Sequence, residues 1–298
     1  MSNLCFDILN NILIFYRDSR MAGEASLRKP KQKTAAISRV LDSFADFEGD
    51  KQFATTLARG LEILRCFTPE GPTLGNKDLA ERTGLPKPTI SRFTYTLSRL
   101  GYLKPDHISS KYQLGPAVLA IGYPLLATIT LRQIARPAMK ALADYAGGSV
   151  SMGIRDRLNI VYVETSRSSP MFSRQLSDIG LSQPIALSAI GRAYLAACIP
   201  AEREAILNEI RIKTPQVWES NRQKMQQSFS DFESFGFCIS WGDVRKDVYA
   251  VGVSLRLLST GDIVAFNCAL PSFLVTPEQI RSDIGPRLAA MVRGFAAL

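Results

Sequence analysis

The residues best suited to chemistry in this sequence are basic and hydroxyl-bearing side chains in one stretch, Leu74 to Leu114. From Lys87 to Lys104 this stretch holds four basic residues and no acidic one. Basic side chains bind phosphate oxygens, and serine and arginine can also contact the edges of bases. The pattern favours recognition of double-stranded DNA, with candidate contacts at Lys77, Lys87, Pro88, Thr89, Ser91, Arg92, Tyr95, Arg99, Lys104 and Lys111.

Residues that could support catalysis are few by comparison. The chain has one histidine, His107, which argues against a Ser/His/Asp triad and against a histidine-rich metal site. No glycine-rich loop of the kind that cradles phosphate is present. A cysteine-dependent enzyme stays open as an alternative through Cys198, Cys238 or Cys268, although free cysteine is usually a small buried apolar residue. We therefore expect no catalytic residue, no metal and no cofactor, and we interpret Asp243 with Arg245 as a surface ion pair.

The elements that must position the basic residues are two helices and a hairpin. Residues 76–82 predict a short helix capped by Asn76, and Gly84 permits the tight turn that follows. A second helix is predicted from Pro88 to about Leu100, burying Ile90, Phe93, Leu97 and Leu100. Residues 101–103 and 112–114 predict two strands around a polar loop, 104–111. A helix pair with a basic face also occurs in proteins that never bind DNA, but the added hairpin favours a winged helix-turn-helix.

Length, charge and cysteine usage limit the class of protein. A chain of 298 residues is long enough for two domains, and a net charge of +9 favours a polyanionic partner. Residues 51–115 hold ten of the Lys and Arg residues against five Asp and Glu, so the excess is partly local. Five cysteines without paired spacing indicate a reducing compartment, and no apolar run reaches the roughly 18 residues of a membrane span. We expect a cytoplasmic protein that does not associate with membranes.

Two further helical regions flank the basic stretch. Residues 53–67 predict a helix that completes a three-helix core through Leu57, Leu61, Ile63, Leu64 and Phe67. Residues 116–130 and 131–145 predict apolar helices, the first kinked or divided by Pro124. A connector this apolar requires a partner. That partner is either its own domain or the same helix of a second copy, which would place two DNA-reading helices at half-site spacing.

From Gly148 onward the pattern changes to alternation of apolar and polar residues. Strands are predicted at 150–154 and 160–164, with 155–159 as a hairpin turn, and again at 238–241, 249–258 and 263–269. Helices are predicted at 188–198, 200–210, 215–235 and 277–298, and residues 165–187 are expected to be rich in loops. Strands with helices before and after them indicate an α+β domain around an antiparallel sheet.

The chain resembles the IclR family of bacterial transcription regulators over about residues 53–298. The resemblance rests on Arg59–Leu64, Leu79-Ala80, Thr83–Leu85, Thr89–Arg92, Thr96-Leu97, Gly101–Leu103, Tyr112, Leu114-Gly115, Ser188–Ala196, Ser234–Phe237, Asp243 and Val251–Val253. It implies a winged helix-turn-helix, a linker helix and a GAF-like effector domain, assembled as a homodimer or homotetramer. It also implies an effector that is a small carboxylic or aromatic metabolite. A GAF-like sensor that acts mainly through protein partners is the alternative function.

The resemblance also implies where the effector would bind. By position the family's pocket falls on Ser188, Ala189, Ile190, Gly191, Ser240, Ala250, Asn267 and Ala269. The free N–H groups at the start of the helix after Ser188 would favour a carboxylate, and small side chains leave room for it. Asn267 and Cys268 depart from the family's usual last strand, and Asp243 and Arg192 stand where a glutamate and a lysine are common. Each pocket position could equally be ordinary core packing.

These observations divide the chain into four parts. Residues 1–50 form an extension that we expect to be disordered, with a basic arm at 26–40, and residues 1–20 are interpreted as an upstream start ahead of Met21. The winged helix-turn-helix is assigned to 51–115, linker helices to 116–147 and the effector domain to 148–298. The sequence predicts a DNA-binding transcriptional regulator that responds to a small molecule. It leaves open which genes are controlled and whether they are repressed or activated.

Overall fold

The computed structural model describes residues 44, 47, 49–106, 108–168 and 178–296. The predictions for residues 1–20, for residues 26–40 and for His107 lie outside these residues.

The N-terminal part is a winged helix-turn-helix, as predicted. Its elements are α1 (Thr55–Arg65), α2 (Asn76–Thr83), α3 (Lys87–Arg99), β1 (Leu103–Asp106) and β2 (Lys111–Leu114). The strands pair antiparallel, and backbone bonds between Leu74 and Tyr112 tie the hairpin to the segment before α2. The elements enclose one apolar core formed by Ile63, Phe67, Leu74, Leu79, Leu85, Ile90, Leu97 and Leu103.

Three predicted core positions in this domain are wrong. Leu57 and Leu61 on α1 are 64% and 53% exposed, and Leu100 after α3 is 60% exposed. The two leucines of α1 form one i,i+4 stripe, and Ile63 lies on another side of the helix, in line with Phe67 just after its end. Only this second side faces the small three-helix core, so the leucine stripe is left on the surface.

Two local details also differ from the prediction. The residue before α2 is Gly75, whose N–H donates to Asp78 Oδ2 at 2.9 Å, so Asn76 is not the cap. The wing strands reach four residues each, which places Lys104 and Lys111 in strands rather than in the loop. Asp106 shortens the loop, because its carboxylate accepts hydrogen bonds from the Ile108 N–H and the Ser109 hydroxyl.

Two helices connect the parts of the chain, α4 (Pro116–Thr128) and α5 (Leu131–Ala146). Pro124 lies inside α4 without dividing it, and the chain bends by 86° between the two helices, where Ile129 leaves the helical region. No residue of α4 is buried, whereas α5 buries Leu131, Ala135, Met139, Leu142 and Ala143. Among the described residues no single helix meets the length and apolarity of a membrane span, and α4 with α5 does so only as this bent pair.

The C-terminal part is built on a six-stranded antiparallel sheet in the order β5-β4-β3-β8-β7-β6. The strands are β3 (Ser149–Asp156), β4 (Asn159–Arg167), β5 (Ser182–Pro184), β6 (Cys238–Trp241), β7 (Val248–Arg256) and β8 (Ile263–Pro271). The β3–β4 turn is shorter than predicted, because Arg157 takes a left-handed φ of 55°. The segment predicted as loop contributes β5, which pairs with β4.

Helices cover both faces of this sheet. One face packs on α5 and on a last helical segment made of Pro277–Gln279, the π-turn Ile280–Ile284 and Gly285–Arg293. The other face packs on α6 (Ala189–Ala197), α7 (Pro200–Lys213) and α8 (Pro215–Phe235). The α+β prediction is confirmed. The alternating strands bury both faces because helices are available for each side.

Candidate nucleic-acid interface and effector site

Helix α3 is held in place by its own buried side and by α2. Gly84 takes a φ of 74° and ends α2, and α3 buries Ile90, Thr94 and Leu97. Asn76 of α2 bridges the two helices, because its Nδ2 donates to Ser91 Oγ and its Oδ1 accepts from Thr94 Oγ1, both at 3.2 Å. The amide predicted as a cap therefore fixes the register between the two helices.

The opposite side of α3 is exposed, and its basic side chains are free to contact a ligand. Every predicted DNA contact is exposed apart from Thr89, which is half-buried, and Tyr95 is 67% exposed. Lys77 of α2 lies 4.0 Å from Glu81 in a loose pair on the surface. Within the described part of the chain, no salt bridge engages Lys87, Arg92, Arg99, Lys104 or Lys111. Unpaired surface cations on a protruding helix and its wing are suited to contact phosphates along a groove.

In the C-terminal domain the predicted effector residues gather around the start of α6. Ser188 caps this helix, since its Oγ accepts from the Gly191 N–H at 3.2 Å and donates to Pro184 O at 2.7 Å. Ala189, Ile190 and Gly191 are buried. The amides of Ala189 and Ile190 precede the first intrahelical bond, from Arg192 N–H to Ser188 O, and are not satisfied within the helix.

The sheet residues predicted for the effector site lie on the face below α6. Ser240, Ala250 and Ala269 stand opposite one another on β6, β7 and β8. Asn267 stands opposite Gly252, and a side chain at Gly252 would place its Cβ 2.1 Å from Ala189 O. The start of α6 therefore rests directly on the backbone of β7, next to Asn267.

Asn267 belongs to a buried polar group that the sequence did not reveal. It is 4% exposed, its Oδ1 has no hydrogen-bond partner among the described residues, and its amide lies close enough to Tyr162 to act on the pKa of that phenol. Burial raises the pKa of Tyr162, so its phenol stays protonated. Ser151, opposite Asn267, contacts the Thr165 hydroxyl at 3.0 Å, and the buried Oγ of Ser254 also has no described partner. Only strand register brings these residues onto one face.

Asp243 was wrongly interpreted as the surface partner of Arg245. Its Oδ2 lies 2.8 Å from Arg192 Nη1, and the two side chains are 8% and 2% exposed. Lys224 of α8 binds the other carboxylate oxygen, and Arg245 pairs with Asp247 instead. No local sequence pattern indicates this pair, because β6 and two helices separate the arginine from the aspartate. The pair ties α6 to the loop after β6.

The free cysteines are poorly suited to nucleophilic chemistry. Burial raises the pKa of Cys66 to about 11 and that of Cys268 to about 12, and it also raises the pKa values of Cys198 and Cys238. A thiol must lose its proton to attack, so these groups are inert at neutral pH. Among the described residues no group of three or more His, Cys, Asp or Glu side chains could hold a metal ion.

A separate surface groove lies between α7 and α8. It has a volume of about 680 Å³ and is lined in part by Arg203, Leu207, Trp218, Met225 and Phe229. None of the predicted effector residues lines it.

Comparison with known proteins gives the same organisation. A family model described as the IclR helix-turn-helix domain matches residues 56–107, and one described as the bacterial transcriptional regulator IclR C-terminal domain matches residues 124–294. The HTH-type transcriptional regulator TsaQ1/TsaQ2 of Comamonas testosteroni is 37% identical over 81% of this chain and 87% of its own length.

Solved structures extend the likeness. An IclR family transcriptional regulator from Brucella abortus is 44% identical, with a TM-score of 0.76 over 88% of this chain and 98% of that one. An IclR homolog from Microbacterium hydrocarbonoxydans, solved with 4-hydroxybenzoate, shares the fold at 18% identity, with a TM-score of 0.58 over 80% of this chain and 99% of that one.

Fold and interface define the class of protein: a winged helix-turn-helix DNA-binding regulator with a C-terminal α+β domain. The matched family models cover most of the described sequence. The chain belongs to the IclR family of transcriptional regulators. It is a regulator rather than an enzyme, as its named relatives are.

Proposed function

We propose that this regulator binds its operator as a homodimer and responds to a small carboxylic or aromatic metabolite held between α6 and the sheet. The main support for the proposal is the environment of Asn267. This residue is almost fully buried beside the start of α6, and its carbonyl oxygen has no partner among the described residues. A buried polar atom without a partner costs free energy, and a ligand that supplies the missing hydrogen bond would recover it.

The ligand would be oriented by two kinds of group. The amides of Ala189 and Ile190, which make no bond within the helix, would favour a carboxylate, which also gains from the dipole of α6. Asn267, Tyr162 and Ser254 offer neutral hydrogen-bonding groups for a hydroxyl or a second polar atom. Ala250 and Ala269, which stand opposite one another, add only small side chains to this face of the sheet. The proposed effector residues are those predicted from the sequence, with Tyr162 and Ser254 added.

The proposed operator contact is the exposed side of α3 with the wing. Arg92, Ser91 and Tyr95 would meet base edges or adjacent phosphates, while Lys87, Arg99, Lys104 and Lys111 would meet phosphates. Lys77, Pro88 and Thr89 would lie along the same backbone. We assign 51–115 to DNA binding, 116–147 to the linker and 148–298 to effector binding. We place the protein in the cytoplasm, where its operator lies.

The second copy would be joined through α4. Leu119, Ile121, Tyr123 and Leu125 are 54–72% exposed, on a helix that buries no residue in its own chain. Contiguous apolar surface of this kind marks an interface. Leu57, Leu61 and Leu100 add apolar surface in the DNA-binding domain. Two copies joined this way would present two α3 helices to a roughly palindromic site.

Binding of the full-length protein to the DNA upstream of its own gene, measured by fluorescence anisotropy, tests the operator half of the proposal. Thermal unfolding with small carboxylic and aromatic acids, beginning with 4-hydroxybenzoate, tests the effector half. A ligand at 100 times its Kd adds about 2.7 kcal/mol of stability and should not be consumed. The Asn267→Leu variant should lose the shift while remaining folded. Turnover of the compound, or an equal shift in that variant, would contradict the effector site.

A further inference from the structure

A chain of polar contacts runs from α6 to the tip of the β3–β4 hairpin. Tyr194 on α6 lies close to Arg155 on β3, whose positive charge acts to lower the pKa of the phenol against the effect of burial. Arg155 also lies 3.8 Å from Glu209 of α7, and its Nε donates to the carbonyl oxygen of Arg157 at 2.8 Å. Arg157 occupies the turn in the left-handed region. The shape of the hairpin tip therefore depends on a side chain that α6 and α7 hold.

The same tip contacts the first helix of the DNA-binding domain. Arg157 Nη1 lies 2.7 Å from Glu62 Oε1 on α1. Next to it, Arg65 Nη1 donates to Asp156 Oδ2 at 2.8 Å, and Arg65 Nη2 donates to Asp156 Oδ1 at 3.4 Å. Arg65 Nε lies 3.8 Å from the same Glu62 oxygen. Two charges from α1 and two from the hairpin thus form one network of alternating sign.

Glu62 makes this network sensitive to position. Its side chain is 10% exposed. Its Oε1 is close to the guanidinium of Arg157, but it accepts no hydrogen bond from a described residue. A desolvated carboxylate depends on a nearby opposite charge, and its energy rises steeply if that charge moves away. A small displacement of the hairpin tip would therefore be felt by α1.

The hairpin also carries part of the proposed effector face. Tyr162, one of the proposed effector residues, lies on β4, and Asp156 ends β3 at the turn. The hydroxyl groups of Ser151 and Thr165 join the two strands at 3.0 Å. β3 and β4 stay paired from Ser149 opposite Arg167 to Asp156 opposite Asn159, with one irregularity between Met152 and Gly153, so a shift at the effector face would displace the tip. The hairpin meets both the candidate ligand and the DNA-binding domain.

We propose that the tip formed by Asp156 and Arg157, held by Arg155 and Tyr194, transmits the position of α6 to the DNA-binding domain through Glu62 and Arg65. The inference rests on the proposed effector function, because the effector would be the signal that is transmitted. The contacts themselves can be tested without a ligand. Coupling of this kind is a difference in free energy between arrangements, and it is established by measuring that difference.

A charge-reversal cycle tests the contact with α1. Arg65→Glu and Asp156→Arg each turn an attraction into a repulsion at two side chains that are 48% and 38% exposed, so both variants should fold. Each single change is expected to shift the operator Kd by about fivefold or more, and the double variant should return to within about twofold of the parent. Unchanged Kd values in the single variants, or a double variant no better than either, would overturn the contact's role.

Two controls separate this effect from a change in phosphate attraction. Asp247→Arg reverses a charge in a comparable exposed pair with Arg245, and it should leave the operator Kd unchanged. The dependence of Kd on salt concentration should keep its slope in Asp156→Arg, because no phosphate contact is gained or lost. A steeper slope would assign the shift to direct attraction for DNA and contradict the proposal.

Hydrogen–deuterium exchange of the full chain tests the link to α6 without operator or effector. Tyr194→Phe removes one hydroxyl group on α6, and it should speed amide exchange in α1 and at residues 155–159, as Arg155→Gln should. Tyr145→Phe is the matched control, because it removes a hydroxyl hydrogen-bonded to Asp283 on the far side of the sheet. Unaltered exchange in α1 with Tyr194→Phe would overturn the transmission, even if effector binding at Asn267 were established separately.

Discussion

Arg92 is the side chain on α3 that most directly tests the operator contact. It is exposed, lies in the middle of the outward face and makes no salt bridge with a described residue. Arg92→Ala should weaken operator binding by about 1–3 kcal/mol. If Arg92 meets a phosphate, the salt dependence of Kd should also flatten. If it meets a base, the preference at one position of the operator should relax.

The matched control is Arg222→Ala, which removes an exposed arginine from α8, far from α3 in the sequence. The control variant should bind the operator like the parent protein, in anisotropy titrations at several salt concentrations. If Arg92→Ala and Arg222→Ala behave alike, Arg92 is not part of the interface.

Arg192 and Asp243 form a buried ion pair. Resemblance to the family leads one to expect a lysine and a glutamate at these positions. A longer basic side chain with a shorter acidic one keeps the charges at 2.8 Å. Desolvation acts to raise the pKa of Asp243, but hydrogen bonds from Lys224 and Arg192 and their charges outweigh it. The net effect is a lowered pKa.

A prediction about stability and pH follows from that pair. Asp243→Asn should destabilise the protein by about 3–5 kcal/mol at neutral pH, because the Arg192 charge is left buried without its partner. Since the folded-state pKa is lowered, the contribution of the ionised carboxylate is present above the unfolded value, about 4, and is lost as pH falls below it. The difference between parent and variant should therefore shrink in urea titrations below about pH 4.

Asp247→Asn provides the comparison, since Asp247 pairs with Arg245 on the surface. Its effect on stability should be small at every pH. Equal losses in the two variants would show that Asp243 contributes no more than an exposed ion pair.

Among the secondary-structure elements, α6 and β7 pack in direct backbone contact. Gly252 has no room for a side chain, because a Cβ there would stand 2.1 Å from Ala189 O and 2.4 Å from Ala189 C. Gly252→Ala should force the helix away from the strand and lower the unfolding free energy by about 1–3 kcal/mol. Thermal or urea unfolding measures the loss.

Ser254→Ala is the control on the same strand. The Ser254 Oγ is buried and has no described partner, so its removal should leave stability unchanged or raise it. If Ser254→Ala lowers the unfolding free energy as much as Gly252→Ala does, β7 is sensitive to any substitution. The close approach of α6 would then not be the reason that glycine is required at position 252.

At the scale of the whole molecule, the apolar surface of α4 is the proposed site of assembly. The described part of the chain buries none of the residues of α4, so the proposed second copy would cover the exposed ones. Ile121→Lys places a charge at the centre of this surface. It should convert the dimer to monomer in analytical ultracentrifugation and weaken operator binding, because half-sites would no longer be bound together.

Leu258→Lys is the matched substitution elsewhere. Leu258 is 84% exposed near the turn between β7 and β8, and its replacement should change neither mass nor affinity. A dimer that survives Ile121→Lys would remove α4 from the interface.

The sequence by itself determined the winged helix-turn-helix, the basic outward face of α3 and the α+β class of the second domain. These features depend on local patterns: the spacing of apolar residues, a glycine at a turn and the alternation of strand residues. Helix α3 was predicted within about one residue at each end for the same reason.

Only the tertiary structure decided which apolar side of α1 is covered, which basic residue pairs with Asp243 and which polar residues share the face under α6. Leu57 looks like a core residue in the sequence, yet the three-helix core is too small to cover both sides of α1. Arg192 and Asp243 are 51 residues apart, and Asn267, Tyr162 and Ser254 lie on three different strands. Their proximity follows from sheet order and register, which join distant segments through backbone hydrogen bonds and leave no local mark in the sequence.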